Sequence, residues 1–192
     1  MPSPKIICGL AVSLDGYIAA PDGAVDWLNP YSTREVMALM TEFMATIGLM
    51  FMGRTTFDHA LRLGVGNPAA GPPRAIVLTK RPITGVPDPT SVQTMSGSAK
   101  AVAKRLRADA AGLKGKKKDI WCMGGGRVLA DFLAAGEIDA IDIGVMPIAL
   151  GAGIPLFPPG FPRTALKLVR CKPYSNGVIR LKYTVKRPAK SR

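Results

Sequence analysis

The chain has 192 residues, of which 47% are hydrophobic, and a formal net charge of +13. A single domain of this length buries about 70% of its unfolded surface around one core, and we expect one domain over residues 1–187 followed by a basic tail at 188–192. No apolar run is long enough to span a membrane and no leader pattern precedes the first strand, which predicts a cytoplasmic protein without a membrane partner. With His59 as the only histidine, no metal site is expected.

The positive charge is concentrated in lysine- and arginine-rich segments at residues 114–118 and 186–192. Such charge attracts anions, either nucleic acid or a phosphorylated small molecule. No aromatic residues interleave with either segment, as a groove for single strands requires, so nucleic acid is not the expected main partner. Three scattered cysteines within apolar runs, Cys8, Cys122 and Cys171, predict buried free thiols rather than disulfides.

Apolar runs alternate along the chain with segments of helical spacing. The predicted strands lie, in chain order, at residues 5–13, 48–52, 74–78, 91–95, 119–123 and 138–147. The first predicted helix is capped by Ser32 or Thr33 and extends to about residue 47, and the second starts at residue 54. The third is capped by Ser96 or Ser98 and extends to about residue 111, and the fourth follows the glycines at 124–126 and ends near residue 135. Two alternating segments at 165–172 and 178–186 predict a terminal hairpin. This order predicts an α/β fold with a mostly parallel central sheet, an antiparallel C-terminal hairpin and flanking helices.

Three consecutive glycines, Gly124, Gly125 and Gly126, stand between the strand at 119–123 and the helix that follows. A helix N-terminus has unpaired N–H groups and a positive dipole end, which together suit a phosphate. The third glycine of the G-x-G-x-x-G fingerprint is missing. The turn is therefore either a pyrophosphate cradle or a tight corner between strand and helix.

Two other strand ends carry hydroxyl and cationic groups, and at one of them Thr79 and Lys80 follow the strand at 74–78. Gly53 is followed by Arg54, Thr55 and Thr56, and a cation in a first helical turn opposes the helix dipole. A bound phosphate would explain Arg54, and the alternative is a surface arginine. The methionines that follow Ser32 and Thr33 at helical spacing are expected to pack in the core.

Five motifs extend over nearly the whole chain: LAVSLDGYIAAPDG at 10–23, MGRTTFD at 52–58, VLTKRP at 77–82, MGGGRVLADFLAAGEID at 123–139 and PIALGAGIPLF at 147–157. Together and in this order they resemble the dihydrofolate reductase-like superfamily. Within it they are similar to the reductase domain of riboflavin biosynthesis, the RibD C-terminal domain family. The resemblance implies an NADPH-dependent reductase that transfers a hydride to a small pteridine- or pyrimidine-like heterocycle, and a homodimer.

The resemblance also implies roles for single residues. Those implied to bind the cofactor are Ala11, Ile18, Gly53, Arg54, Thr55, Thr56, Thr79, Lys80, Gly124, Gly125, Gly126, Arg127 and Val128. Thr79 and Lys80 would lie near the adenosine 2′-phosphate, and the Gly124–Gly125 peptide would be cis. Arg54 and Lys80 favour NADPH over NADH, since both are cations.

Three residues are candidates for the substrate side. Trp27 either stacks on a flat heterocycle or packs beneath its loop. Gly151 and Gly153 either let a loop approach the ligand or simply form a turn.

The apolar residues of the terminal hairpin either bury against a partner subunit or lie over the core of the chain itself; they are Leu166, Leu168, Val178, Ile179 and Leu181.

Two carboxylates are candidate proton sources. Asp15 matches the riboflavin-type reductases, and its alternative role is that of a turn aspartate. Folate reductases use an acid on the first helix, at a position that falls near Met37 here. Glu35 is the nearest acid, but two residues are about 200° of helix, so we expect it to face elsewhere. The alternatives to a heterocycle reductase are a true dihydrofolate reductase, if Glu35 enters the pocket, a non-catalytic nucleotide-binding protein, and a basic nucleic-acid-associated protein.

Overall fold

The structure is a computed structural model that describes residues 3–64, 73–161 and 163–186. Its strands are β1 (Ile6–Ser13), β2 (Tyr17–Ala19), β3 (Ile47–Gly53), β4 (Arg74–Leu78), β5 (Gln93–Met95), β6 (Asp119–Gly124), β7 (Ala140–Met146), β8 (Ile154–Pro155), β9 (Leu166–Pro173) and β10 (Ile179–Val185). Its α-helices are α1 (Arg34–Met44), α2 (Arg54–Arg62), α3 (Ala99–Gly112) and α4 (Gly126–Ala134). Short 3₁₀ helices cover Asp26–Tyr31 and Pro89–Ser91.

The central sheet has the strand order β5-β4-β3-β6-β1-β7-β10-β9. Every pairing from β5 to β7 is parallel, and β10 pairs antiparallel with both β7 and β9. The predicted fold is therefore confirmed. Because parallel strands point the same way, the carboxyl ends of β1, β3, β4 and β6 meet at one edge of the sheet.

The helices cover both faces of the sheet. On one face, α3 and α4 pack against a core that includes Phe51, Leu106 and Leu129. On the other face, α2 packs over β3 and β4 through Phe57. On that same face α1 packs over β1 and β7 through Phe43. Strand β6 lies between β3 and β1 in the sheet. On this face of the sheet, the side chains of β6 therefore lie between α1 and α2.

Two predicted elements differ from the structure. The first helix ends at Met44, not near residue 47, because Ile47 is taken into β3, where it pairs with Asp119 and is 2% exposed. The segments predicted as loops after β1 and after β7 contain β2 and β8, which form a small antiparallel sheet. This pairing joins residues far apart in sequence, so local periodicity does not indicate it.

The cysteines divide into two classes. Cys8 and Cys122 are buried on the neighbouring strands β1 and β6, as predicted. Burial raises the pKa of Cys122 to about 12, so this thiol is protonated and unreactive at neutral pH. The prediction of burial is wrong for Cys171, which is exposed because β9 is the edge strand of the sheet.

The terminal hairpin is partly covered by its own chain. Val178 is fully buried, whereas Leu168 and Ile179 are 52% and 38% exposed. The homodimer stays a prediction. The predicted surface loop at 64–73 lies largely outside the described residues, as does the basic tail at 188–192. Within the described ranges, no helix has the length and apolar character needed to cross a membrane.

A buried ion pair connects β10 and β7 beneath α1. Arg180 and Asp142 are 2% and 6% exposed, and the Nε and Nη2 atoms of Arg180 each lie 2.8 Å from an oxygen of Asp142. The Nη1 atom of Arg180 lies 3.0 Å from Oε2 of Glu42 on α1, and Glu42 also pairs with Arg170 of β9. These charges hold α1 against the hairpin side of the sheet.

We expect Asp142→Ala to lower the free energy of unfolding by about 3–5 kcal/mol, because Arg180 would stay buried without its main partner. Urea denaturation measures the loss. The matched control is Asp109→Ala, which breaks an exposed pair with Arg74 and should cost less than about 1 kcal/mol. Equal losses of unfolding free energy in the two variants would contradict a larger contribution from the buried pair.

Candidate functional site

Two strand-to-helix turns meet at the carboxyl edge of the sheet. Gly53 joins β3 to α2, and the turn through Gly124 and Gly125 joins β6 to α4. The Oγ1 atom of Thr56 accepts the N–H of Gly125 at 2.8 Å, which links the two turns. No side chain caps α2 or α4. Both helices therefore present first-turn N–H groups and positive dipole ends to the same region, an arrangement that suits a polyanion.

Close packing explains the third glycine of this segment, Gly126, which begins α4. The peptide bond between Gly124 and Gly125 is cis, as the family resemblance implied. A Cβ atom added to Gly126 would lie 2.8 Å from the carbonyl oxygen of Pro155 in β8. Any larger residue would collide with that backbone, so the small β2–β8 sheet and the turn support each other.

A pocket of about 260 Å³ lies beside these turns, between the ends of β4 and β5 and the starts of α3 and α4. Its lining includes three of the predicted cofactor residues, Thr79, Lys80 and Val128. Lys80 is exposed. The lining residues that the sequence did not indicate are Leu78, Met95, Ser96, Gly97, Ala99, Val102, Asp131 and Phe132. They come from the last residues of β4 and β5, from the segment after β5, from α3 and from α4. Leu78, Asp131 and Phe132 fall within two of the family motifs, which by themselves assign them no role.

Arg54 makes its contacts within the protein. Its Nε atom lies 2.6 Å from Oδ1 of Asp58, one turn further along α2, and its side chain is 12% exposed. Its Nη groups donate to the carbonyl oxygen of Pro82 and to Oγ1 of Thr84. These bonds tie the start of α2 to the segment that follows β4, and Asp58 offsets the unfavourable position of a cation at a helix N-terminus.

The other predicted cofactor residues lie at the helix starts and near the end of β1. Thr55 and Arg127 are exposed at the starts of α2 and α4. Ile18 of β2 packs against the core beneath α3 and α4, whereas Ala11 of β1 packs against the opposite face. The two residues therefore flank the end of β1 from different sides of the sheet.

The Asp15 carboxylate ties the loop after β7 to the end of β1. Its Oδ1 atom accepts the Ser13 hydroxyl at 2.6 Å and the Leu150 N–H at 3.1 Å, and its Oδ2 atom accepts the Gly151 N–H at 2.7 Å. The Ser13 hydroxyl, followed by the two backbone N–H groups, lowers the pKa of Asp15. A carboxylate with these donors is ionised at neutral pH, which suits positioning of the loop rather than proton donation.

Glu35 lies on the side of α1 that faces the terminal hairpin. Its Oε2 atom accepts the N–H and the hydroxyl of Ser175, at 3.3 Å and 2.7 Å. Met37, near which the acid of folate reductases is expected to fall, is 56% exposed. The condition attached to the dihydrofolate reductase alternative, an acid of α1 in the pocket, is therefore not met by Glu35.

The residues predicted for the substrate side have structural contacts of their own. Trp27 is 9% exposed and belongs to a cluster with Met146 and Tyr174, which favours packing over stacking on a ligand. A Cβ atom added to Gly153 would lie 2.3 Å from the carbonyl oxygen of Ala19, so the β2–β8 sheet itself requires this glycine. Gly151 has a positive φ of 74° and donates to Asp15.

The face of the sheet between α1 and α2 carries a group of apolar side chains. Trp121 and Met123 project from β6 and remain partly exposed, although Trp121 contacts the clusters beneath both helices. We call this region the central cleft; from the helical spacing and the strand face we assign to it Met37, Met40 and Met44 of α1, Ala60 and Leu63 at α2, and Trp121 and Met123 of β6. Met37 and Met40 are 56% and 42% exposed, so the prediction that the methionines pack in the core is wrong for these two.

Comparison with known proteins supports the same architecture. The model of the RibD C-terminal domain matches residues 4–180. An uncharacterized protein of Bacillus subtilis, YwjB, is 32% identical over 177 residues, which cover 91% of this chain and 94% of that protein. A crystal structure from Shewanella sp. PV-4, provisionally named as a riboflavin biosynthesis protein, is 28% identical with a TM-score of 0.74 and covers 95% of this chain and 99% of its own.

A third likeness shows the fold alone. A Thermotoga maritima protein named as a deaminase and 5-amino-6-(5-phosphoribosylamino)uracil reductase is 18% identical with a TM-score of 0.68. The likeness covers 96% of this chain and 57% of the Thermotoga chain. The architecture is thus the α/β fold of the dihydrofolate reductase-like proteins. Within that class, the chain belongs to the RibD C-terminal domain family.

We expect Thr56→Val to lower the free energy of unfolding by about 1–3 kcal/mol, because the part-buried Gly125 N–H would lose its acceptor. Thr56→Ser keeps the hydroxyl and serves as the matched control. Urea denaturation of both variants measures the difference. Equal stability of the two would show that this hydrogen bond does not hold the turns together.

We expect Ser13→Ala to raise the pKa of Asp15 toward its ordinary value, because the largest contribution to the lowering is removed. Since the folded pKa lies below the unfolded one, the stabilisation is complete above the unfolded pKa and is lost as the pH falls through the folded pKa. NMR titration of the Asp15 carboxyl carbon measures the change, and the Gly151 amide shift should follow the same midpoint. If the pKa of Asp15 is the same in the variant as in the wild type, the Ser13 hydroxyl does not lower it.

Proposed function

We propose that the protein is an NADPH-dependent reductase of small heterocyclic compounds. The observation that carries the proposal is the meeting of two uncapped helix N-termini, joined by the bond between Thr56 and Gly125, beside a pocket that contains Thr79 and Lys80. Membership of the RibD C-terminal domain family supports a reductase of this kind.

The chemistry of these residues fits a phosphorylated dinucleotide. First-turn N–H groups of α2 and α4 would bind the pyrophosphate. The exposed ammonium group of Lys80 and the hydroxyl of Thr79 would bind the ribose 2′-phosphate, and Asp131 would accept hydrogen bonds from hydroxyl or amino groups. Arg54 would act by holding the segment after β4 in place, since its own donors are engaged.

When bound, NADPH supplies a hydride to the carbon of a C=N or C=O group and becomes NADP⁺, while the neighbouring nitrogen or oxygen of the substrate takes a proton. None of the residues that bound the central cleft is an acid, so we propose water as the proton source. Asp15, as an ionised carboxylate, would hold the loop at Leu150 and Gly151 against the end of β1. This makes Asp15 a positioning residue in our proposal.

Two alternatives stay distinct from this proposal. A non-catalytic nucleotide-binding protein would bind NADPH but oxidise none of it with any heterocycle. A nucleic-acid-associated protein would bind oligonucleotides with an affinity that falls steeply with salt, and would ignore NADPH. The central cleft, which neither alternative uses, favours an enzyme that accepts a second small molecule.

The test of the cofactor is a titration with NADPH and with NADH, followed by intrinsic tryptophan fluorescence. We expect NADPH to bind at least about tenfold more tightly than NADH, since a charge-assisted bond to phosphate contributes about 1.5–3 kcal/mol. Lys80→Ala should remove most of this preference.

The control for Lys80→Ala is Lys116→Ala, which removes the same charge at an exposed position before β6, at the opposite edge of the sheet. It should keep the preference for NADPH. If neither nucleotide binds the wild-type protein, the cofactor assignment fails. If both variants lose the preference equally, overall charge rather than Lys80 explains it.

A further inference from the structure

We infer that the central cleft binds a neutral, flat and largely apolar heterocycle, and that it excludes substrates that carry a phosphate or a carboxylate. The inference rests on the proposed function in one respect, which is that the hydride acceptor lies in this cleft. Its physical basis is the chemistry of the side chains that α1, α2 and β6 direct into the space between them.

The orientation of α1 follows from its contacts on two sides. Phe43 packs downward onto Ile7 of β1. Glu35 and Glu42 reach the hairpin, through Ser175 and Arg170. At about 100° per residue, the methionines of α1 lie on the side opposite these two glutamates. That side faces β6 and α2, and the exposure of Met37 and Met40, 56% and 42%, leaves them accessible there.

The orientation of α2 follows in the same way. Thr56 bonds to Gly125 at the end of β6, so this side of α2 faces the cleft. Ala60 and Leu63 follow Thr56 by four and seven residues and lie on the same side. The ion pair of Arg54 and Asp58 faces away, toward Pro82 and Thr84. The side of each helix that we assign to the cleft is therefore apolar, and the ion pairs of Arg54 and Glu42 lie on other sides of the helices.

The floor of the cleft is a fixed aromatic ring. The Nε1 atom of Trp121 donates to the carbonyl oxygen of Gly9 at 2.8 Å. Its ring also meets Phe43 edge to face, with 5.5 Å between ring centroids and an interplanar angle of 81°. An indole held in this way is a preorganised surface for a flat ring. Met123 lies beside it, immediately before the Gly124–Gly125 turn that we propose holds the cofactor.

The charge of the cleft decides which substrates it can accept. None of its seven bounding residues is ionisable. Arg62 is exposed and bonds to His59, and Arg180 is buried against Asp142. A phosphate or carboxylate that entered the cleft would lose its hydration without gaining a cation from these seven side chains, which is strongly unfavourable.

The methionines allow the cleft to accept neutral ligands of more than one shape. Unbranched thioether side chains repack around ligands of different shape and make favourable contacts with aromatic rings. The cleft is therefore suited to several related neutral heterocycles rather than to one compound with a fixed set of polar contacts. This distinguishes it from a site built for a phosphoribosyl-substituted pyrimidine.

The test uses three ligands, each with and without saturating NADPH: quinoxaline, 5-amino-6-(5-phosphoribosylamino)uracil and the dephosphorylated form of that pyrimidine. Binding is followed by quenching of tryptophan fluorescence, and Trp121→Phe identifies the part of the signal that comes from Trp121. We expect quinoxaline to quench Trp121 and the phosphorylated pyrimidine to bind at least about tenfold more weakly than its dephosphorylated form.

Met40→Lys places a cation in the cleft and should weaken quinoxaline binding about tenfold or more. Ala38→Lys adds the same charge on the exposed surface of α1 and should leave it unchanged. The inference is overturned if the phosphorylated pyrimidine binds as tightly as its dephosphorylated form, if quinoxaline does not bind, or if Met40→Lys has no effect. NADPH binding, measured separately in each variant, shows whether the cofactor assignment has failed instead.

Discussion

The hydrogen bond from the Gly125 N–H to Thr56 Oγ1 joins the two strand-to-helix turns on which the whole site depends. Because β3 and β6 are adjacent and parallel, their following helices begin at the same edge of the sheet. The bond fixes the starts of α2 and α4 relative to each other. The pocket that contains Lys80 lies beside these starts, and the central cleft begins at the same turn on the other face of the sheet.

A second constraint acts through the charges of α1. Glu35 and Glu42 are held by the hairpin, and Arg180 joins Glu42 to the buried Asp142. These contacts rotate the acids of α1 away from β6 and turn its methionines toward it. The same network that holds the helix on the sheet therefore makes the cleft apolar, which links the stability of this region to the kind of ligand it accepts.

Several features of the site were predictable because they depend on local rules. The glycine turn after β6, the helix starts and the parallel strand order follow from periodicity and turn chemistry, and the family motifs indicated the cis peptide. Arg54 shows the limit of such rules. Its unfavourable place at a helix start predicts a bound phosphate, and the structure adds Asp58 and the carbonyl oxygen of Pro82 as partners. Those partners include a segment distant in sequence, which no local rule reveals.

The sequence by itself determined the α/β class, the strand ends that carry glycine and hydroxyl groups, and the absence of an acid at Met37. It determined these because each depends on residue type and short-range spacing. Only the tertiary structure decided that Glu35 bonds to Ser175, that Asp15 accepts three donors, and that Met40 and Trp121 stay partly exposed. Each of these depends on which distant elements the sheet brings together, and on how α1 is rotated about its own axis.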